Sequence, residues 1–429
     1  VLPDRQVRVL ALLRHHRVSR ALQAAARDTP CHLVGGVLRD RLLGLAAVDF
    51  DAVVAGRGQE IAAELGARLG ARLVLLGGKA FAAYRLVSPE FTLDLWDRQQ
   101  ASLESDLERR DFTVNSFALD LRDGELVDPF AGLRDLRERR LRATTAESFS
   151  GDPLRVLRLP RLLVQLPGFA VEPSTLELAV RETPRLAAVA AERVREELHR
   201  TLAHPEAHRA AALLAALHVY PGLFLGRPGE PGDAGAAVVE LERLGRCVLR
   251  LRTALADLAA DLAGGLDAEA VRFALLFANL PDGSAGAPSA ALRRFTRAGY
   301  LPRRLADRVA TLLACADAPP GERAQRHFLY QSGDLWLSAA AYLGARAAAM
   351  GGPGAWEAWV KELAELLRRE GRALIDPPAL VSGDEVRDLL GVPPGPDVGR
   401  ALAALRQAQV EGRVASRAGA LELLRSWRG

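Results

Sequence analysis

Gly35-Gly36-Val37-Leu38-Arg39-Asp40, followed shortly by Val48-Asp49-Phe50-Asp51-Ala52-Val53-Val54, decides how the front of this chain folds. In an extended segment, residues i and i+2 project to one face. Asp49 and Asp51 therefore meet at one point while apolar residues fill the opposite face. Two like charges held that close are costly unless a cation lies between them. A hard divalent ion such as Mg²⁺ takes carboxylate oxygens and keeps open positions for phosphate. The glycine pair supplies backbone N–H groups that approach an anion closely, with Arg39 at the start of a helix behind them. An isolated Asp-x-Asp or Gly-Gly is an ordinary surface loop or turn, so it is their order and spacing together that carry meaning.

Outward from this point, short apolar runs alternate with helical stretches as far as Asp128. Leu33-Val34, Val48 to Val54, Arg72 to Leu76, Ala82 to Val87 and Phe91 to Trp96 read as strands, and Glu60 to Leu69 reads as a helix between two of them. After Ser150 the strand signals vanish, and Ala, Leu, Arg and Glu recur at helical spacing to the end. The pattern predicts a mixed α/β head followed by a string of all-α domains. Clusters of Gly, Pro and Ser at Gly226 to Gly235, Pro281 to Pro288, Pro319-Pro320 and Met350 to Gly354 mark loops or boundaries.

With 429 residues the chain is long enough for two to four domains. Hydrophobic residues make up 49% of it, yet no apolar run approaches the length needed to cross a bilayer. The start, Val1-Leu2-Pro3-Asp4-Arg5, has no signal-peptide pattern, so a cytoplasmic protein is expected. Cys31, Cys247 and Cys315 are isolated, without metal-ligand spacing, and read as buried reduced thiols. Lys79 and Lys361 are the only lysines; the remaining basic charge is arginine, whose planar fork suits phosphate. A net charge of +4 permits a polyanionic partner without identifying one.

Further motifs follow in order. Asp106-Leu107-Glu108-Arg109-Arg110-Asp111-Phe112-Thr113-Val114-Asn115-Ser116 joins two arginines to an acid and an amide. Asp128-Pro129-Phe130-Ala131-Gly132-Leu133-Arg134-Asp135-Leu136 comes next, then Gly151-Asp152-Pro153-Leu154-Arg155-Val156-Leu157-Arg158-Leu159-Pro160-Arg161, and Glu192-Arg193-Val194-Arg195-Glu196-Glu197-Leu198. As a set these resemble the class II tRNA nucleotidyltransferase and poly(A) polymerase family of the polymerase-β-type nucleotidyltransferase superfamily. The glycine turn differs from the family's Gly-Gly-x-Val-Arg-Asp only at Leu38.

The resemblance implies a nucleotidyltransferase head over residues 1–145, a helical neck that recognises the base over 146–205, a helical body over 206–335 and a tRNA-binding tail over 336–429. It implies catalysis by Asp49, Asp51 and a third strand acid, Asp94, with Asp49 and Asp51 as the metal ligands for two Mg²⁺ ions. Asp94 reads equally well as a strand-end acid paired with Arg98. Gly35, Gly36, Arg39 and Arg110 would bind triphosphate, Asp111 and Asn115 a ribose hydroxyl, and Asp152 with Arg155 the incoming base, helped by Arg158 and Arg161. Asp152 before Pro153 also reads as a helix N-cap and first residue. Two departures stand out. Gly151 occupies the family's Glu position, which removes an orienting carboxylate, and Pro160 is expected to kink its helix. The tail stretch Pro377 to Leu421 also resembles these enzymes. Leu275-Leu276 is followed by Phe277-Ala278-Asn279 rather than the His-Asp of relatives that carry a phosphohydrolase, so that activity is expected to be absent.

Full CCA-adding relatives place a long flexible loop between the third-acid strand and the Arg-Arg-Asp motif, whereas here only Leu95 to Glu108 connects Asp94 to Arg109. This resembles the CC-adding subgroup and implies CTP, with ATP as a second candidate, as substrate and the 3′ end and acceptor arm of tRNA as partner. Neither a membrane nor a protein partner is implied. Alternatives are a full CCA-adding enzyme, an A-adding enzyme or poly(A) polymerase, and, from a different class, a non-catalytic RNA-binding relative.

Overall fold

A computed structural model describes residues 4–76, 83–224, 239–244, 265–280, 287–315, 318–346 and 353–427. Lys79, Ala82, Cys247, the break at 226–235 and most of those at 281–288 and 350–354 lie outside the described residues. The chain divides into two compact units, Val1–Val189 and Ala190–Gly429.

The first unit is built on a seven-stranded mixed sheet. Its strands are β1 (Cys31–Val34), β2 (Asp49–Val54), β3 (Arg72–Leu76), β4 (Ala83–Val87), β5 (Thr92–Asp97), β6 (Ala118–Asp120) and β7 (Leu126–Val127), in the order β3-β4-β5-β2-β1-β6-β7. Helices α1 (Asp4–Arg14), α2 (Arg17–Ala26), α3 (Gly36–Leu43) and α4 (Gly58–Leu69) belong to the same unit. Alternation along the strands divides the two faces. Phe50, Ala52, Leu93 and Leu95 join Val18, Leu22, Ile61 and Leu65 of the helices in one buried core. On the opposite face, Val34, Val53 and Ala118 are covered by Leu107 of α5 (Leu103–Glu108), with Val127 and Phe130 packed alongside. That cover lies over the β1 to β7 side and the neighbouring end of β2.

The expected strands and the helix between them are present, with ends shifted by a residue or two. Not among the expected strands are the short β6 and β7 and a short parallel pair, β8 (Arg140–Leu141) with β9 (Ala170–Val171), of which β9 lies beyond Ser150, where strand signals vanish. A two-residue strand carries too little alternation to be read from sequence. The rest of the unit is α6 (Gly132–Arg137), α7 (Ser148–Gly151), α8 (Arg155–Gln165) and α9 (Pro173–Glu182). Helix α8 runs on through Pro160, which is buried.

The second unit is helical throughout its described residues. The helix Ala268–Ala278 is buried along most of its length, and Phe277 packs with Phe224 and Phe295. The Leu275–Asn279 stretch therefore forms core, with Asn279 capping the helix and donating to Glu240. Near the chain end, Val386, Leu405 and Leu424 centre a separate cluster. Its first helix, Gly383–Leu390, opens on a capping box in which Ser382 and Glu385 exchange hydrogen bonds with each other's backbone N–H. No helix among the described residues is long and apolar enough to cross a membrane.

Candidate active site

Strand register sets the centre of the site. Across one row of the sheet, Arg85 on β4 lies opposite Asp94 on β5, Asp94 opposite Asp51 on β2, and Asp51 opposite Val34 on β1. The parallel pairing of β2 and β5 thus places the third acid beside the Asp-x-Asp pair, and Asp49 stands exposed two residues along the same face. Asp94 is held by Arg85, whose Nε and Nη2 each donate at 2.7 Å. The expected alternative partner, Arg98, instead donates to the Ala101 carbonyl.

Asp51 is under electrostatic tension. Burial pushes its carboxyl up to about 6, and Asp94 and Asp49 push the same way while Arg110 and Arg158 oppose them. Gly35 has φ +74°, and a side chain there would place Cβ 2.8 Å from Asp51 Oδ2 and 3.0 Å from Arg110 Nη1. Only glycine lets the turn pass this close to the carboxylate. Gly36 then opens α3.

The Arg-Arg-Asp motif follows α5. Asp106 pairs with Arg110 at 3.2 Å and with Arg109 at 3.7 Å. Asp111, buried, accepts from the Asn115 amide at 2.9 Å and from the Phe112 backbone at 2.8 Å, and pairs with Arg158 Nη1 at 3.1 Å. Burial alone would raise its pKa, but the Arg158 charge, the Asn115 amide and the Phe112 N–H outweigh it and hold the carboxyl at about 2. Asn115 also accepts from Arg39 Nη1 at 2.6 Å, and Arg39 Nε binds Asp40 at 2.8 Å. Arg39 and Asn115 thus have protein partners in a chain from Asp40 to Arg158.

Arg155, Arg158 and Arg161 recur every third residue of α8. The Arg155 fork donates to the carbonyls of Ser148, at 2.8 Å, and of Arg109, and burial lowers its pKa. The buried Nε atoms of Arg110 and Arg155 have no hydrogen-bond partner among the described residues. Asp152 precedes α8, and its Oδ1 accepts from the Leu154 N–H at 3.3 Å, a turn-type cap two residues before the helix proper. Among the described residues, its chain neighbours and own helix backbone aside, nothing lies within 4 Å of a Cβ built on Gly151.

The Asp128 to Leu136 motif is a brace. The Asp128 carboxylate caps the N–H groups of Gly132 and Leu133 at 2.7 and 3.0 Å. Asp135, almost fully buried, binds Thr113 Oγ1 at 2.7 Å and Arg142 Nε at 2.8 Å. A Cβ on Gly132 would meet the Thr113 carbonyl at 2.1 Å, so only glycine allows this packing under the Arg-Arg-Asp loop. The Asp128 to Leu136 motif stands out in sequence but its partners do not, and neither does Arg85, because strand register and the folding of a loop over a helix start are non-local.

Among the described residues no three His, Cys, Asp or Glu side chains form a ready-made metal cage. The donors available are all oxygen. With like-charged neighbours and burial both raising the Asp51 pKa, Asp49 and Asp51 suit a divalent hard cation completed by phosphate oxygens.

Residues 81–142 match the family described as the Poly A polymerase head domain, and residues 168–228 match the probable RNA and SrmB-binding site of polymerase A. The chain is 31% identical to a CC-adding tRNA nucleotidyltransferase of Geobacter sulfurreducens, over 91% of this chain and 90% of the relative. It is 33% identical to an A-adding tRNA nucleotidyltransferase of Deinococcus radiodurans, over 92% and 95%. The Bacillus stearothermophilus CCA-adding enzyme in complex with CTP superposes with a TM-score of 0.65 at 25% identity, covering 98% of both chains. The chain belongs to the class II tRNA nucleotidyltransferase and poly(A) polymerase family, and is an enzyme that transfers nucleotidyl groups to the 3′ end of tRNA.

Proposed function

We propose that this enzyme adds the two cytidines of the 3′ CCA end from CTP and leaves the terminal adenosine to another enzyme. The observation that carries the reading is the short path from Asp94 to Arg109, which is used up by the end of β5, a turn and α5. It leaves no length for the mobile loop associated with switching from C to A. The relative from Geobacter sulfurreducens, aligned along nine-tenths of both chains, supports the same choice. An A-adding relative aligns over a similar share, so A addition is the reading to test against.

In the reaction, the RNA 3′-hydroxyl oxygen attacks the α-phosphorus of CTP, and the bond to the β-phosphate oxygen breaks to release pyrophosphate. Two divalent ions held by Asp49 and Asp51 would supply Lewis acidity at the attacking and leaving oxygens. The Gly35-Gly36 turn and the Arg110 guanidinium orient the triphosphate. Asp152 and Arg155 present an acceptor and donors to the base, and Arg158 holds Asp111 in place beneath them. Asp49 and Asp51 would hold the cations from a backbone that pairing of β2 on both sides keeps in place.

Incubating the enzyme with tRNA lacking its 3′ end and with each labelled NTP separates the readings. Two cytidines and no adenosine are expected. Efficient A incorporation after CC rejects CC specificity, and a long A tract on a generic RNA primer would instead identify a poly(A) polymerase.

A further inference from the structure

Trp96 is an exposed large hydrophobic residue of the head, with 40% of its surface open, and no role above uses it. It sits on β5 two residues beyond Asp94, so its side chain projects from the same sheet face as the acids. Across that row it lies opposite Ala83 on β4 and Val53 on β2. Val53 is covered by Leu107 of α5, whereas Ala83 is too small to cover an indole. Trp96 therefore stands between the part of this face covered by Leu107 and the row that holds Asp94 and the part-exposed Arg85.

The two sides of Asp51 differ in kind. On one side are the Gly35-Gly36 turn and Arg110, which suit phosphate. On the other are Asp94 and Trp96. In-line displacement requires the attacking hydroxyl to approach opposite the leaving pyrophosphate. With the triphosphate on the cationic side, the RNA end is left the β5 side.

We propose that Trp96 is the stacking platform for a nucleobase at the 3′ end of the acceptor RNA, holding that end so that its hydroxyl faces the carboxylate pair. A flat indole suits this partner because every base has a π-face, and stacking tolerates the change of terminal base after each addition. An apolar protein partner would need a wider apolar patch, and the residues beside Trp96 on this face include a bidentate ion pair, Arg85 with Asp94. The inference rests on the nucleotidyl-transfer reading of the same site.

Steady-state kinetics of Trp96→Ala and Trp96→Phe, with tRNA lacking its 3′ end and CTP varied separately, provide the test. A second readout is the fluorescence of 2-aminopurine placed at the terminal nucleotide of that tRNA, which stacking quenches. Trp96→Ala is expected to raise KM for tRNA by about 5- to 100-fold and leave KM for CTP unchanged. Trp96→Phe should stay within about 3-fold of wild type, and the quenching seen with wild type should be relieved in the alanine variant. The inference is overturned if KM for tRNA is unchanged, if both KM values rise together with a fall in melting temperature, or if quenching persists in Trp96→Ala. If wild-type enzyme transfers nothing to tRNA, the functional reading fails instead, and the fluorescence of the bound RNA still decides whether Trp96 stacks on it.

Discussion

Two halves of the site meet at Asp51 and are built on opposite electrostatic principles. Around Asp111 every charge is answered: Arg158, Asn115 and the Phe112 N–H hold its carboxyl at about 2. Around Asp51 the charges conflict, and burial with Asp94 and Asp49 nearby raises its carboxyl to about 6. Charges satisfied within the protein make a scaffold. Charges left in conflict mark a place that something from outside can complete, and on the proposed function an oxygen-loving cation with its triphosphate would do so.

Asp51→Asn provides the largest break in that comparison. It should abolish nucleotide transfer, by at least about 1000-fold, while leaving tRNA binding largely intact. Magnesium should raise the melting temperature of wild type in the presence of CTP and not that of the variant. An equal loss of tRNA binding would instead assign Asp51 a structural role.

Asp111→Ala tests the satisfied half and should act on stability. It removes the buried partner of Arg158 and leaves the Asn115 amide and the Phe112 N–H without their acceptor, which costs about 3 kcal/mol. Urea unfolding would show this as a lower midpoint with an unchanged slope. An unchanged midpoint with lost activity would move Asp111 from scaffold to substrate contact.

The third test uses pH on the metal-free protein. Asp51 is raised from 3.8 to about 6, so its contribution to stability is full below about pH 4 and is lost as pH rises through 6. Asp51→Asn lacks this loss. The variant should match wild type near pH 4 and exceed it by about 3 kcal/mol at pH 7, less where solvent screens the site. A gap that closes toward pH 7 would contradict the conflict described at Asp51.

The same contrast separates what the sequence reveals from what it hides. The Asp-x-Asp strand and the glycine turn are legible because period-two alternation and the freedom of glycine act locally, and β2 and β5 form within a residue or two of their expected ends. Partners are not legible. Asp94 reads from sequence either as a third acid beside the pair or as a partner of Arg98; strand register sets it opposite Asp51 and gives it Arg85 as partner, while Asp97 turns to cap the N–H groups of Gly56 and Gly58. Arg39 reads as a phosphate ligand beside its glycine turn. Only the folded chain shows it bound to Asn115, 76 positions away. In the second unit the helices are legible from spacing, but no motif of its own chemistry marks which faces meet RNA.

The smallest expected effect concerns the one position where the family's charge is missing. Gly151 closes α7, and a Cβ there meets no described residue beyond its own chain neighbours, so the first atom of a Gly151→Glu side chain has room. Replacing a helical glycine should stabilise by about 0.5 kcal/mol. The new carboxylate would stand beside Asp152 and within a helical turn of Arg155, whose fork is tied to backbone carbonyls. If Arg155 needs an acid to swing toward the base, Gly151→Glu should raise the preference for CTP over ATP by about 2- to 5-fold, a change of under about 1 kcal/mol. An unchanged ratio, measured by competition between the two labelled nucleotides, would mean that the Ser148 and Arg109 carbonyls already do for Arg155 what the family's glutamate does elsewhere.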